Sequence, residues 1–374
     1  MTASWCNVAT HRRGDVRRIL ATKEGIGVEL KRTIVGRLAA GTAVFAIVLS
    51  ACTGAASTPG ASSASSAGQS AAASAGASSS AGAQKCGTVN LADNPWVGYE
   101  ADVAVVAYLL KNELGCTVNI KNLNEQISWQ GFPTGEVDVI LENWGHEDLY
   151  KQYITDQKVA VDLGPTGNEG IIGWYTTKAF ADAHPDILTA DQNPQVLNKY
   201  ASDFATSESG GKGQLLDGDP SYVTNDEALV ANLGLDYKVV YSGSEAASNK
   251  AIKAANDSGK PILAYYYEPN WFSTQWAPVH VKLPPWTPGC DSDPKKVACD
   301  YPPYHLNKVA SVKFMSSGSP AATVIQNFKW TNDDQNAVAT DITLNKMTDD
   351  AAAKKWVDAH PDVWKAWFTG VPGF

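Results

Sequence analysis

Arginine is missing from most of this chain. Six are present, at positions 12, 13, 17, 18, 32 and 37, and none follows Arg37. Sites that grip phosphates, dicarboxylates or amino-acid carboxylates favour the bidentate guanidinium fork, so a ligand of this chain must be held in another way. The body also lacks G-x-S-x-G, H-E-x-x-H, GxxxxGK[ST] and any Cys/His metal spacing, so no motif of hydrolase, metalloprotease or phosphate-loop chemistry points to an enzyme, a cofactor or a metal. Beyond residue 51 there remain 22 Lys and no Arg against 36 Asp and Glu, a net of −14. Such a surface is a poor partner for nucleic-acid backbones, which are bound through Lys and Arg.

Long apolar runs are also scarce. Leu38–Leu49, LAAGTAVFAIVL, follows Lys31, Arg32 and Arg37. At about 12 residues it is shorter than the roughly 20 that a membrane-crossing helix needs. A basic start, a short apolar stretch and small residues before Cys52 describe a secretion signal over residues 1–51. Residues 1–27 suit neither a signal nor a domain, and an alternative start at Val28 would give a signal of normal length. Leu49-Ser50-Ala51-Cys52 resembles a lipobox, whose cysteine is acylated and becomes the mature N-terminus. Residues 52–85 then form a Ser/Ala/Gly tether, too poor in apolar side chains to fold, which holds the body at the extracellular face of the membrane.

The body, residues 86–374, alternates strand and helix patterns. GTVNLA and TVNIK read as strands around the helical run EADVAVVAYLLKNELG, and EVDVILEN follows as a third strand. GKGQLL, DYKVVYSG and KPILAYYYEP repeat the alternation. This predicts an α/β fold with parallel strands in two lobes, residues 86–171 plus 270–374 and residues 172–269, with the ligand cleft between them. Four cysteines remain in an exported body, which suggests two disulfides. Cys86 and Cys116 open the first two strands and can bridge if those strands are parallel neighbours. Cys290 and Cys299 would close a small loop.

What the chain does have is tryptophan at strand ends. Trp96 lies past the first strand, Trp144 past the third, and Trp174 and Trp271 at the two expected crossings between lobes. Several aromatic faces around one point suit a diffuse cation such as a quaternary ammonium, at about 0.5–2 kcal/mol per desolvated ring. Gly98 and Tyr99, at the start of the first helix, offer N–H groups to a carboxylate tail. Glu142 offers a charge to the cation, and Glu100, Glu142 or Asn143 an acceptor to a hydroxyl tail.

NPWVGYEA, VDVILENWGH, GIIGWYTT and YYYEPNW resemble the substrate-binding proteins of glycine betaine/choline-type ABC importers, the OpuAC-like family, across Cys86 to Phe374. The resemblance implies a type II periplasmic-binding-protein-like fold and an onium ligand boxed by Trp96, Trp144 and Trp271, with Trp174 or Tyr175 as the fourth wall and Trp174 favoured. It further implies a non-enzymatic receptor whose partners are an ABC permease and its ATPase. Pro269-Asn270-Trp271 departs from the Pro-His-Trp of many relatives, at the group nearest the ligand's tail. The rival readings are a sugar-binding transport lipoprotein and a cell-surface glycoside hydrolase using Glu142 and Glu268.

Overall fold

The computed structural model describes residues 86–374; the expected signal region, Cys52 and the tether lie outside the described residues. The strands are β1 (Thr88–Asp93), β2 (Thr117–Asn122), β3 (Val139–Asn143), β4 (Ala160–Thr176), β5 (Gly213–Asp217), β6 (Tyr237–Tyr241), β7 (Leu263–Glu268), β8 (Val279–Val281) and β9 (Tyr304–Ser311). They join in the order β2-β1-β3-β9-β4-β7-β5-β6, with β8 beside β4. Two parallel groups, β2-β1-β3 and β7-β5-β6, are thus linked through the antiparallel strands β9 and β4.

Local sequence explains the first unit. β1 and β2 run parallel in register from Thr88–Thr117 to Asp93–Asn122, and helix Val97–Leu114 returns the chain between them. That helix is apolar on almost every face because it lies between the sheet and helices Asn332–Thr343 and Asp349–Ala359. Cys86 and Cys116 precede the two paired strands at the same end and are bonded, with Cα atoms 4.9 Å apart. Cys290 and Cys299 are bonded as well. Both HPD stretches stop helices: His184 and His360 end helices Lys178–Ala183 and Asp349–Ala359, and the following prolines open new turns.

β4 departs from the sequence reading. It carries four glycines and a proline in 17 residues, a composition that suggests loop, yet it is the longest strand. Its register shifts between Asp162 and Gly164 and between Pro165 and Glu169 accommodate them. From Ala160 to Gly170 it pairs with β9, and from Ile171 to Thr176 with β7 and β8. One continuous strand therefore belongs to both halves of the sheet. Among the described residues no helix is long and apolar enough to cross a membrane.

Candidate functional site

β1 and β3 are parallel neighbours, so their carboxyl ends lie on one edge, and each is followed closely by a tryptophan. Trp96 caps the amino end of helix Val97–Leu114 in extended backbone. Trp144 follows β3, all of whose residues are buried. Between them sits Glu142, 1 % exposed. Its Oε1 accepts the indole N–H of Trp96 and that of Trp144, each at 2.7 Å. Its Oε2 accepts the Gln335 side-chain amide, and Gln335 Oε1 in turn accepts Asn168 Nδ2 at 2.8 Å. One buried carboxylate thus sets the orientation of two indole rings.

Burial pushes the Glu142 carboxyl up, while bonds from Asp102, Trp96, Trp144 and Gln335 pull it back. Asp102, also fully buried, is held well above the ordinary range by burial and then by the charge of Glu142. Of the two, Asp102 is the one held well above its ordinary range, and Glu142 is the one whose oxygens accept three N–H groups. Two glycines make room for the arrangement. A Cβ at Gly98 would stand 2.8 Å from Gln335 Nε2, and one at Gly170 would stand 2.6 Å from the Trp144 ring.

The other half of the sheet faces these rings with tyrosines. Alternation along β7 turns Tyr265 and Tyr267 to one side, while Tyr266 packs against Tyr175 and Trp276. Trp96 meets Tyr222 edge-on at 5.8 Å, Tyr222 meets Tyr267 at 6.5 Å, and Tyr267 meets Trp144 at 5.6 Å. The circuit closes through Glu142. Tyr304 adds a further edge to Trp144 at 5.6 Å, and the Tyr222 hydroxyl donates to the Pro95 carbonyl at 3.1 Å. Four rings from four separate segments meet in one run of edge contacts, and two of them are hung from a carboxylate.

The remaining residues singled out from sequence lie around this circuit in different ways. Tyr99 is buried with its ring edge-on to Trp96, and its hydroxyl accepts the Leu141 backbone N–H. Trp271 is buried beside Phe272, and its indole N–H has no partner. Trp174 pairs with Tyr265 across β4 and β7, two positions deeper than the Tyr267 level. Its N–H donates to Asp226 at 2.8 Å, as does the Tyr301 hydroxyl. Tyr175 points to the opposite face and stacks on His280 at 4.7 Å. Sequence reasoning passed over Tyr222, Gln335 and Asp102. Asp102 had a signal: it is a lone acid inside the apolar run of a helix.

The family model for the substrate-binding domain of ABC-type glycine betaine transport systems matches residues 87–359. This chain belongs to that family. Its members are extracytoplasmic substrate-binding components of ABC transporters. The trimethylamine N-oxide-binding protein of Pelagibacter ubique (strain HTCC1062) is 27% identical over 262 residues, covering 67% of this chain and 81% of that protein. The lactococcal OpuAC structure, closed on glycine betaine, superposes with a TM-score of 0.57 at 22% identity, over 75% of this chain and 99% of that one. A choline-binding ABC-transporter protein with bound choline superposes at 0.61 and 18% identity, over 76% and 93%. The fold is that of the two-lobed type II binding proteins.

Proposed function

We propose that this member of the family is a lipid-anchored, non-enzymatic receptor that closes on a quaternary ammonium ion inside the aromatic circuit and delivers it to an ABC permease driven by its ATPase. Trp96, Trp144, Tyr222 and Tyr267 are the walls, with Trp271 behind Asn270. Trp174 supports the β7 tyrosines from below. The half of the sheet built on β1, β3 and β9 supplies Trp96 and Trp144, and the half built on β5 and β7 supplies Tyr222 and Tyr267; β8 pairs with the β4 residues of that second half, so the second lobe extends past the expected boundary at residue 269. The observation that carries this reading is the Trp96–Tyr222–Tyr267–Trp144 circuit hung on Glu142. An onium ion has no N–H to donate, so ordinary polar pockets cannot hold it, whereas aromatic faces and a buried negative charge can.

Three or four rings at about 0.5–2 kcal/mol each, with the charge of Glu142, support micromolar or tighter binding. Titration calorimetry with glycine betaine, choline, carnitine, proline betaine and trimethylamine N-oxide tests the reading. Saturable heat with at least one of them is expected. A folded protein that gives no heat with any of them refutes it. Attachment through Cys52 predicts that Cys52→Ala releases the protein into the medium.

A further inference from the structure

Glu245 opens helix Glu245–Ser258 and is 7 % exposed. Its Oε2 accepts the Val97 backbone N–H at 2.8 Å, and its Oε1 accepts Asn270 Nδ2 at 3.0 Å. Val97 follows Trp96 and is the first residue of helix Val97–Leu114; Asn270 precedes Trp271. The same carboxylate adjoins Tyr222 and Tyr267, where its charge is the second cause, after burial, that holds both phenols well above their ordinary range. Glu245 therefore reaches from one half of the sheet to the other and borders the walls of the onium site.

Two consequences follow from that placement. The leading N–H of the first helix, a natural donor to an anionic ligand tail, is already engaged by a carboxylate of the protein. The donors that reach Glu142 and Glu245 are also neutral: indoles, side-chain amides and one backbone N–H. No cation is among these partners, so negative charge on either carboxylate is left for a ligand to meet. A ligand of net positive charge neutralises it, while a zwitterion brings a further carboxylate into the same dry space.

We infer that Glu245 determines the tail specificity of this site, favouring an onium ion with an uncharged tail over one that carries its own carboxylate; the inference rests on the onium reading above. Calorimetry with choline and glycine betaine tests it. The unaltered protein is expected to bind choline at least tenfold more tightly than glycine betaine. Glu245→Gln keeps the shape and an acceptor for Val97, and it is expected to weaken choline and to shrink the choline preference at least tenfold.

Equal or tighter binding of glycine betaine by the unaltered protein overturns the inference and needs no variant. So does a Glu245→Gln protein that melts like the parent and keeps its affinity ratio within twofold. A purely structural clasp would change stability, or both affinities together, and leave the ratio alone. Absence of heat with either ligand, and with the wider panel above, instead refutes the onium reading itself.

Discussion

Replacing Glu142 by glutamine tests the site at its anchor. The parent carboxylate accepts two indole N–H groups at 2.7 Å and the Gln335 amide. Hydrogen bonds to a charged group contribute about 1.5–3 kcal/mol each, against about 1 for neutral ones, so neutralising the acceptor costs roughly 1–4 kcal/mol over the two indoles. The new amide also has a donor where the parent has none. If its oxygen stays on the indoles, its NH2 faces Gln335 Nε2. Gln335 cannot flip to relieve this without removing its oxygen from Asn168 Nδ2, 2.8 Å away. For a ligand cation placed at roughly 7 Å, the loss is the field of one charge. At an effective dielectric of about 20 that is about 2 kcal/mol, or roughly 30-fold in affinity. Thermal melting followed by circular dichroism and titration with the tightest onium ligand read the two effects separately. A variant that melts within a degree of the parent and binds within twofold would falsify the anchoring role of Glu142.

Other outcomes follow from the same geometry. Trp144→Ala removes a wall and is expected to weaken binding at least tenfold, while Trp174→Phe, which strips one donor from Asp226, should lower stability by about 1–2 kcal/mol and change affinity less; equal affinity losses would place Trp174 in the wall. Replacing Cys86 and Cys116 by serine opens a loop with a sequence separation of 30 and should cost about 3–4 kcal/mol, read as a lower midpoint in urea; an unchanged midpoint contradicts this. Burial first raises Asp93 to about 7, Glu100 to about 7 and Asp217 to about 6. The folded chain therefore holds protons that the unfolded chain has released between about pH 4 and 7, and stability falls as pH rises through that window. His280, pushed down to about 4 by burial, opposes this below about pH 6.5, but the carboxyls outnumber it. Melting temperature should be higher at pH 5 than at pH 8, and a flat or rising profile refutes the assignment.

The first unit was legible because each of its signals is local. The alternation in TVNLAD and the apolar helix after it imply a parallel pair, and a parallel pair implies that Cys86 and Cys116 share an end. β4 was not legible, because its glycines and proline are tolerated only where two register shifts and partners on both sides absorb them. Asp102 reads as an error in an apolar helix until Glu142 is placed next to it.

Residue order alone therefore determined most of the strand and helix segments, β4 excepted, and it placed Trp96 and Trp144 just beyond strand ends, since periodicity and chain-breaking residues act over a few positions. It also determined that no guanidinium is available to the body. Only the tertiary structure decided what those tryptophans face. Glu142 meets Gln335 across 193 positions, Val97 meets Glu245 across 148, and Tyr222 reaches Pro95 across 127. Pairings of that span depend on strand order and on how the halves of the sheet close. A hydrophobic pattern records that a side chain is buried and leaves its neighbour unspecified.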